Sequence, residues 1–180
     1  MKWMLEELGV EYTEKVLVLE NDEHKTPEFL ALNPMGRVPV LTHGDKVVTE
    51  SAAICVYLAE AFPEKNLDVP VGSPFRPDYL RWLFFAPVSA EPSIVWQALG
   101  AKTENDYLPF ASVEDIASTL CNVVRDKEYV IDGRFTAADV MIGSTIFWGL
   151  NLMPVLPKHP ELVDYWERLS RREAWQRATA

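Results

Sequence analysis

The stretch Asn33-Pro34-Met35-Gly36-Arg37-Val38-Pro39-Val40-Leu41, with Lys46-Val47-Val48-Thr49-Glu50-Ser51 a few residues on, decides how this chain folds. Val38 to Leu41 and Lys46 to Thr49 are short extended runs separated by His43-Gly44-Asp45, the pattern of an antiparallel hairpin. Pro39 stands at the start of an otherwise good strand. It has no N–H for a sheet, and proline is the residue for which a cis bond is cheap. Val38-Pro39 therefore reads either as a cis peptide that turns a backbone edge outward, free to pair with a ligand's backbone, or as an ordinary edge-strand proline. Glu50-Ser51 lies between the second run and a helix whose face is traced by Ile54, Tyr57, Leu58 and Ala61 and which Pro63 stops. Unpaired N–H groups at that helix start suit a carboxylate, with the Ser51 hydroxyl as a further donor, and Glu50 suits an ammonium group beside it. Together they form a receptor for the α-amino acid end of a ligand. Read singly, Thr49, Glu50 and Ser51 are also plain helix-start residues.

Working outward, Trp3, Leu5 and Leu8 recur at helical spacing and Gly9 supplies a stop, so the chain opens in a helix. Val16-Leu17-Val18-Leu19, apolar on both faces and bounded by charge, predicts a strand covered on both sides. Thr26-Pro27 predicts a helix N-cap and first position, with the helix running to about Leu32. Beyond the hairpin and its helix, residues 66–77 carry Pro70, Gly72, Pro74 and Pro77 and read as a linker. Tyr79 to Leu99, Ser112 to Arg125, Thr136 to Leu150 and Glu161 to Leu169 then read as helices, with no alternating strand pattern. Thr136 and Asp139 have capping-box spacing, with Phe135 and Val140 as a hydrophobic staple, so this segment is assigned to folding and not to chemistry. An α/β unit is followed by an all-α one.

Composition narrows the function. The chain has 180 residues, 48% hydrophobic and 24% charged, enough for one large domain or two small ones. A formal charge of −10 repels nucleic-acid phosphate and anionic lipid, so neither is an expected partner. Cys55 and Cys121 are too few and too far apart for a disulfide framework or a zinc site, so no metal is expected and a reducing, cytoplasmic location is. Met1 to Val10 shows no signal-peptide pattern. Both cysteines sit in apolar helical patterns and read as core residues. The uncharged run between Asp139 and Lys158 approaches membrane-span length, but Gly143, Gly149, Pro154 and Pro157 interrupt it and a core helix is the reading.

Taken together, these segments closely resemble the cytosolic glutathione transferase family, from Trp3-Met4-Leu5-Glu6-Glu7-Leu8-Gly9 through the Pro39 and Glu50-Ser51 segments to Phe135-Thr136-Ala137-Ala138-Asp139. The resemblance implies a thioredoxin-like N-terminal domain over residues 1–67 and an all-helical C-terminal domain over 73–180. It implies glutathione as co-substrate, with the Val38 backbone and cis-Pro39 at its cysteinyl part, Glu50 and Ser51 at its γ-glutamyl end, and His24 and Arg37 at its glycyl carboxylate. It implies a hydrophobic electrophile between the domains, for which Tyr79, Trp82 and Phe85 are candidates against a role in the core or in a homodimer contact. The family's thiol-activating Tyr, Ser or Cys ends a strand that precedes the first helix. This chain starts at that helix, so no catalytic residue is assigned and the first strand is expected to be missing. That strand is an interior one in the family, between the strands expected at Val16 to Leu19 and Val38 to Leu41. Two functions follow: a transferase that adds the glutathione thiolate to an electrophile, or a non-catalytic binding or assembly module of the same fold.

Overall fold

Gly9 ends the first helix because it adopts the left-handed backbone that other residues resist. In the computed structural model, which describes residues 1–101, 110–131 and 133–180, helix α1 spans Lys2–Leu8 and Gly9 has φ 62°, its N–H returning to the carbonyls of Glu6 and Leu5. Helix α2 spans Pro27–Leu32, and the Thr26 hydroxyl accepts from the Phe29 N–H at 3.4 Å. Strands β1 (Val40–His43) and β2 (Lys46–Thr49) pair antiparallel, Val40 opposite Thr49 and His43 opposite Lys46, around a two-residue turn at Gly44-Asp45. Pairing starts at Val40 and not at Val38, as Pro39 has no N–H to give. Helix α3 spans Ser51–Ala61 and buries Ile54, Cys55 and Leu58.

The strand expected at Val16 to Leu19 does not form. Residues 10–18 run without regular structure and Leu19–Asn21 make a single 3-10 turn. A strand needs a neighbour for its backbone groups, and among the described residues the sheet has only β1 and β2. The Val18 N–H goes instead to a Glu23 carboxylate oxygen at 2.8 Å, and Val16 is 75% exposed.

The second half is helical as expected. Helix α4 (Arg76–Phe85) passes through a π-turn at Ala86–Ala90 into α5 (Glu91–Ala98), followed by α6 (Val113–Val124), α7 (Ala137–Phe147), a second π-turn at Trp148–Leu152, α8 (Pro160–Ser170) and α9 (Glu173–Thr179). The sequence pattern shows 79–99 as one uniform helix. Pro92 in an α-helix would leave the Val88 carbonyl without a donor and collide with it, and the wider turn relieves this: the Glu91 N–H reaches back five residues to Ala86. The short α9 carries too little periodicity to be read from sequence.

Helix α7 is the centre of the core, with Ala137 to Gly143, Thr145 and Ile146 buried. No helix among the described residues is long and apolar enough to cross a membrane. Packing around α7 is close enough that a Cβ on Gly143 would stand 2.5 Å from Leu169 Cδ1 and 3.0 Å from the Trp3 ring, so glycine admits α1 and α8 together. Thr136 and Asp139 form a capping box at its start. The Asp139 carboxylate accepts from the Thr136 N–H at 2.7 Å, the Val130 N–H at 2.8 Å and the Tyr165 hydroxyl at 2.6 Å. Burial pushes the Asp139 carboxyl above its ordinary range, and these hydrogen bonds pull it back.

Polar contacts tie the two halves together, among them the pair of Arg177 with Glu6 at 2.8 Å. The Arg172 guanidinium grips Glu7 with Nε and Nη2 at 2.6 and 2.7 Å, and Trp3 Nε1 donates to the same carboxylate at 2.8 Å. The Ala137 N–H at the start of α7 donates to the Leu67 carbonyl at 2.9 Å. Arg134 donates to the carbonyls of Asn66 and Asp68. Leu67 and Val69 are buried, so the linker read at 66–77 is docked at its start.

Thr136→Ala is expected to cost about 1 kcal/mol, the usual loss of a cap. Asp139→Ala is expected to cost roughly 3 kcal/mol or more, because it strands two buried N–H groups and a buried hydroxyl. Urea unfolding of both variants checks the order, and equal losses would contradict the role given to Asp139.

Candidate functional site

The hairpin register brings the two motifs of the opening stretch together. Val40 is the last residue paired, opposite Thr49, so Pro39 precedes one member of that end pair and Glu50 follows the other. Val38-Pro39 is a cis peptide, and the Val38 side chain is half-exposed. Glu50 has φ 66° and ψ 122°, a left-handed conformation that a residue with a Cβ rarely adopts and that costs energy to hold. Among the described residues, neither the Glu50 carboxylate nor the Ser51 hydroxyl makes a hydrogen bond, and Glu50 does not cap α3 with its side chain. They are therefore not consumed as helix-start residues. The first N–H groups of α3 face the same place with the positive end of the helix dipole.

The turn that leads into Val38 is built by residues the sequence reading passed over. Asn33 is buried; its side-chain amide donates to the Arg37 carbonyl at 2.7 Å and accepts from the Met35 N–H at 3.1 Å, while its own carbonyl accepts from Gly36 N–H at 2.8 Å. Lys25 Nζ donates to the carbonyls of Met35 at 3.2 Å and Gly36 at 3.1 Å. Gly36 has φ 56°, and a Cβ there would lie 2.7 Å from Lys25 Nζ and 2.8 Å from the His24 carbonyl. The His24-Lys25 turn is thus pressed against Gly36-Arg37. An Asn before Pro34 is a turn signal and pointed to Asn33; nothing in the sequence pointed to Lys25, whose partners are carbonyls ten and eleven residues away.

Lys25 and Arg37, with His24 beside them, make this corner cationic on a chain of charge −10. Arg37 is exposed and its guanidinium makes no hydrogen bond among the described residues. His24 Nδ1 is buried without a partner. The corner therefore offers free donors for an anion next to an edge of free backbone, and beyond that edge a free carboxylate next to free N–H groups. A ligand with an anionic end, a peptide-like middle and an α-amino acid end matches that order of groups.

Tyr79 and Trp82, offered as substrate contacts, lie in the core, with Tyr79 fully buried; Phe85 is half-buried. Cys55 and Cys121 are both buried, and burial pushes the Cys55 thiol up to about 12. Burial also raises the Tyr79 hydroxyl far above its ordinary range. The Tyr12 hydroxyl donates to Glu6 at 2.6 Å and is held neutral, pushed up to about 12 mainly by that hydrogen bond. No group of three or more His, Cys, Asp or Glu able to hold a metal is found among the described residues.

Residues 1–60 match the family described as glutathione S-transferase, N-terminal domain, and residues 96–173 match glutathione S-transferase, C-terminal domain. Glutathione S-transferase 1 of Schizosaccharomyces pombe is 31% identical over 164 residues, covering 84% of this chain and 69% of the relative. Glutathione S-transferase 3 of Zea mays is 29% identical over 201 residues, covering 98% and 86%. Among solved structures, the glutathione transferase URE2P5 of Phanerochaete chrysosporium superposes with a TM-score of 0.82 at 22% identity, over 99% of this chain and 86% of that one. A sphingomonad glutathione S-transferase complexed with glutathione superposes with a TM-score of 0.79 at 22% identity, over 98% and 90%. At these identities the superpositions establish a shared fold.

Asn33→Ala is expected to cost about 1 kcal/mol, because it leaves the Arg37 carbonyl and the Met35 N–H without their partner. Gly36→Ala is expected to be destabilising as well, through the positive φ and the collision with the His24 carbonyl. Thermal unfolding with amide chemical shifts at Arg37 and Val38 checks both; unmoved shifts at Arg37 would refute the clamp.

Proposed function

The chain belongs to the glutathione S-transferase family, and from that membership we propose that it binds glutathione along Val38-Pro39 and the start of α3 and uses it as co-substrate with an apolar electrophile. The single observation that carries the reading is the set of uncommitted polar groups along one edge. Arg37 precedes Val38-Pro39, Glu50 and Ser51 follow the strand paired with β1, and the side chains of all three are without protein partners among the described residues. In this reading Arg37 and His24 take the glycyl carboxylate, the Val38 backbone pairs with the cysteinyl unit beside Pro39, and Ser51 with the α3 N–H groups takes the γ-glutamyl carboxylate while Glu50 takes its ammonium. Each charged end of the tripeptide meets a group of opposite sign. Cys55 and Tyr79 carry no part in activating the thiol, being buried and held in their neutral forms.

The domains divide at residues 1–67 and 73–180, with the docked linker between them. The electrophile site lies where the two domains face each other, with Phe85 the remaining candidate of the three aromatics on that helix. The family's homodimer contact fits the exposed apolar residues Phe84 and Val88 on the outer face of α4 and its π-turn, with Val47 on the hairpin. A cytoplasmic location accords with two free buried cysteines.

Calorimetric titration with glutathione is expected to show Glu50→Ala and Ser51→Ala each weakening binding by about tenfold, the size of one charge-assisted hydrogen bond. Unchanged affinity in both variants would remove the site from α3. Turnover of a general aryl halide electrophile in the presence of glutathione tests the transferase reaction.

A further inference from the structure

Both π-turns of the helical domain lie beside one carboxylate. The first, Ala86–Ala90, delivers Glu91 to the start of α5, and the second begins at Trp148, three residues after Thr145 on α7. Turns of this kind occur mostly inside helices at functional sites. Thr145 is fully buried, and its hydroxyl donates to Glu91 Oε1 at 3.2 Å. Among the described residues, Glu91 Oε2 makes no hydrogen bond and Glu91 has no cationic partner. Glu7 and Asp139, the other carboxylates set into this half of the molecule, are fully engaged by Arg172 and by the α7 cap. Burial pushes the Glu91 carboxyl above its ordinary range, and one hydroxyl only partly draws it back. A half-buried carboxylate with a single neutral donor costs free energy that the fold does not return.

The neighbours of Glu91 show what it faces. Successive residues on α7 are about 100° apart. Gly143 meets Trp3 of α1 and Thr145 meets Glu91, so Ser144, Phe147 and Trp148 lie on the arc between them, and all three are half-buried. On the opposite wall Pro87, Glu91 and Val95 recur every four residues and are half-buried too. Two half-buried stripes on helices packed against each other form a shallow groove on the side of α7 that turns toward α1 and the first domain. Its lining is apolar apart from Ser144 and the Glu91 carboxylate.

We propose that Glu91 sets the charge preference of the electrophile site, its free Oε2 receiving a cationic nitrogen group, an amidinium or ammonium, on an aromatic body that lies against Pro87 and Trp148. Thr145 is the positioning residue that holds Oε1 and turns Oε2 to the groove. This rests on the transferase reading and adds to it the class of second substrate. A neutral electrophile in the groove leaves the carboxylate desolvated with nothing gained, so the same residue selects against it.

The test titrates the full chain, labelled at its threonine methyls, with benzamidinium and with benzamide at about 0.15 M salt. Benzamidinium is expected to shift the Thr145 methyl signal and to bind about tenfold more tightly than benzamide, the worth of one charge-assisted hydrogen bond. Glu91→Gln keeps the volume and an acceptor for Thr145; it is expected to remove that preference and to leave benzamide binding unchanged. Glu114→Gln, which removes an exposed carboxylate on α6, controls for general attraction of a cation to a chain of charge −10 and is expected to keep the preference. In turnover with glutathione, the 4-chloromethyl derivatives of the two probes are expected to differ about tenfold in kcat/KM, a difference absent in Glu91→Gln. Equal benzamidinium affinity in the wild type and Glu91→Gln, or an unmoved Thr145 methyl, would overturn the proposal. A Glu91-dependent preference with no turnover of either derivative would uphold the cation site and count against the transferase reading.

Discussion

The buried carboxylate of Asp139 is the constraint on which the rest of the structure depends. A carboxylate placed in an apolar core is costly unless every lone pair finds a donor. Here the donors come from three separate places: the Thr136 backbone and hydroxyl at the start of α7, the Val130 N–H on the preceding loop, and the Tyr165 hydroxyl on α8. Satisfying one charge therefore sets the start of α7, the approach of the loop before it and the position of α8 at once. The start of α7 is also where the Ala137 N–H holds the Leu67 carbonyl, so the same few residues place the first domain against the second.

From that anchor the order of the molecule runs outward to the site. Helix α7 is wrapped by α1, α3, α4 and α8, and Gly143 lets Trp3 and Leu169 reach it. The Glu7–Arg172 pair, with Trp3 donating to the same carboxylate, closes the far side. The hairpin and the turn before it stand on this base with few buried contacts of their own. Their precision comes from polar clamps: Asn33 and Lys25 hold four backbone groups of the turn, and a strained Glu50 ends β2 where α3 begins. A site made from loop backbone is well suited to a peptide ligand, because main-chain groups recognise main-chain groups.

How far the chain could be read in advance depended on the range of the interactions involved. The hairpin, the Thr26 and Thr136 caps, the stop at Gly9 and the helix after Ser51 were legible because each is set by residues within about one turn of one another. The strand expected at Val16 to Leu19 was not, because an apolar run becomes a strand only beside a partner, and no local pattern reports the partner's presence. Asn33 was within reach as a turn residue, but Lys25 was not, since it acts on carbonyls ten and eleven positions away.

What the sequence determined by itself is thus the local grammar: two kinds of domain, and the caps and turns within them. Tertiary structure decided which polar groups remained free for a ligand and which were spent on the fold. The carboxyl groups of Asp139 and Glu7 are consumed by Tyr165, the α7 cap and Arg172, whereas the side chains of Glu50, Ser51 and Arg37 stay unpaired among the described residues. That division rests on contacts between residues far apart in the chain, Glu7 with Arg172 above all. Hydrogen bonds across such distances have no periodic signature in the sequence, only a geometry once the core has closed.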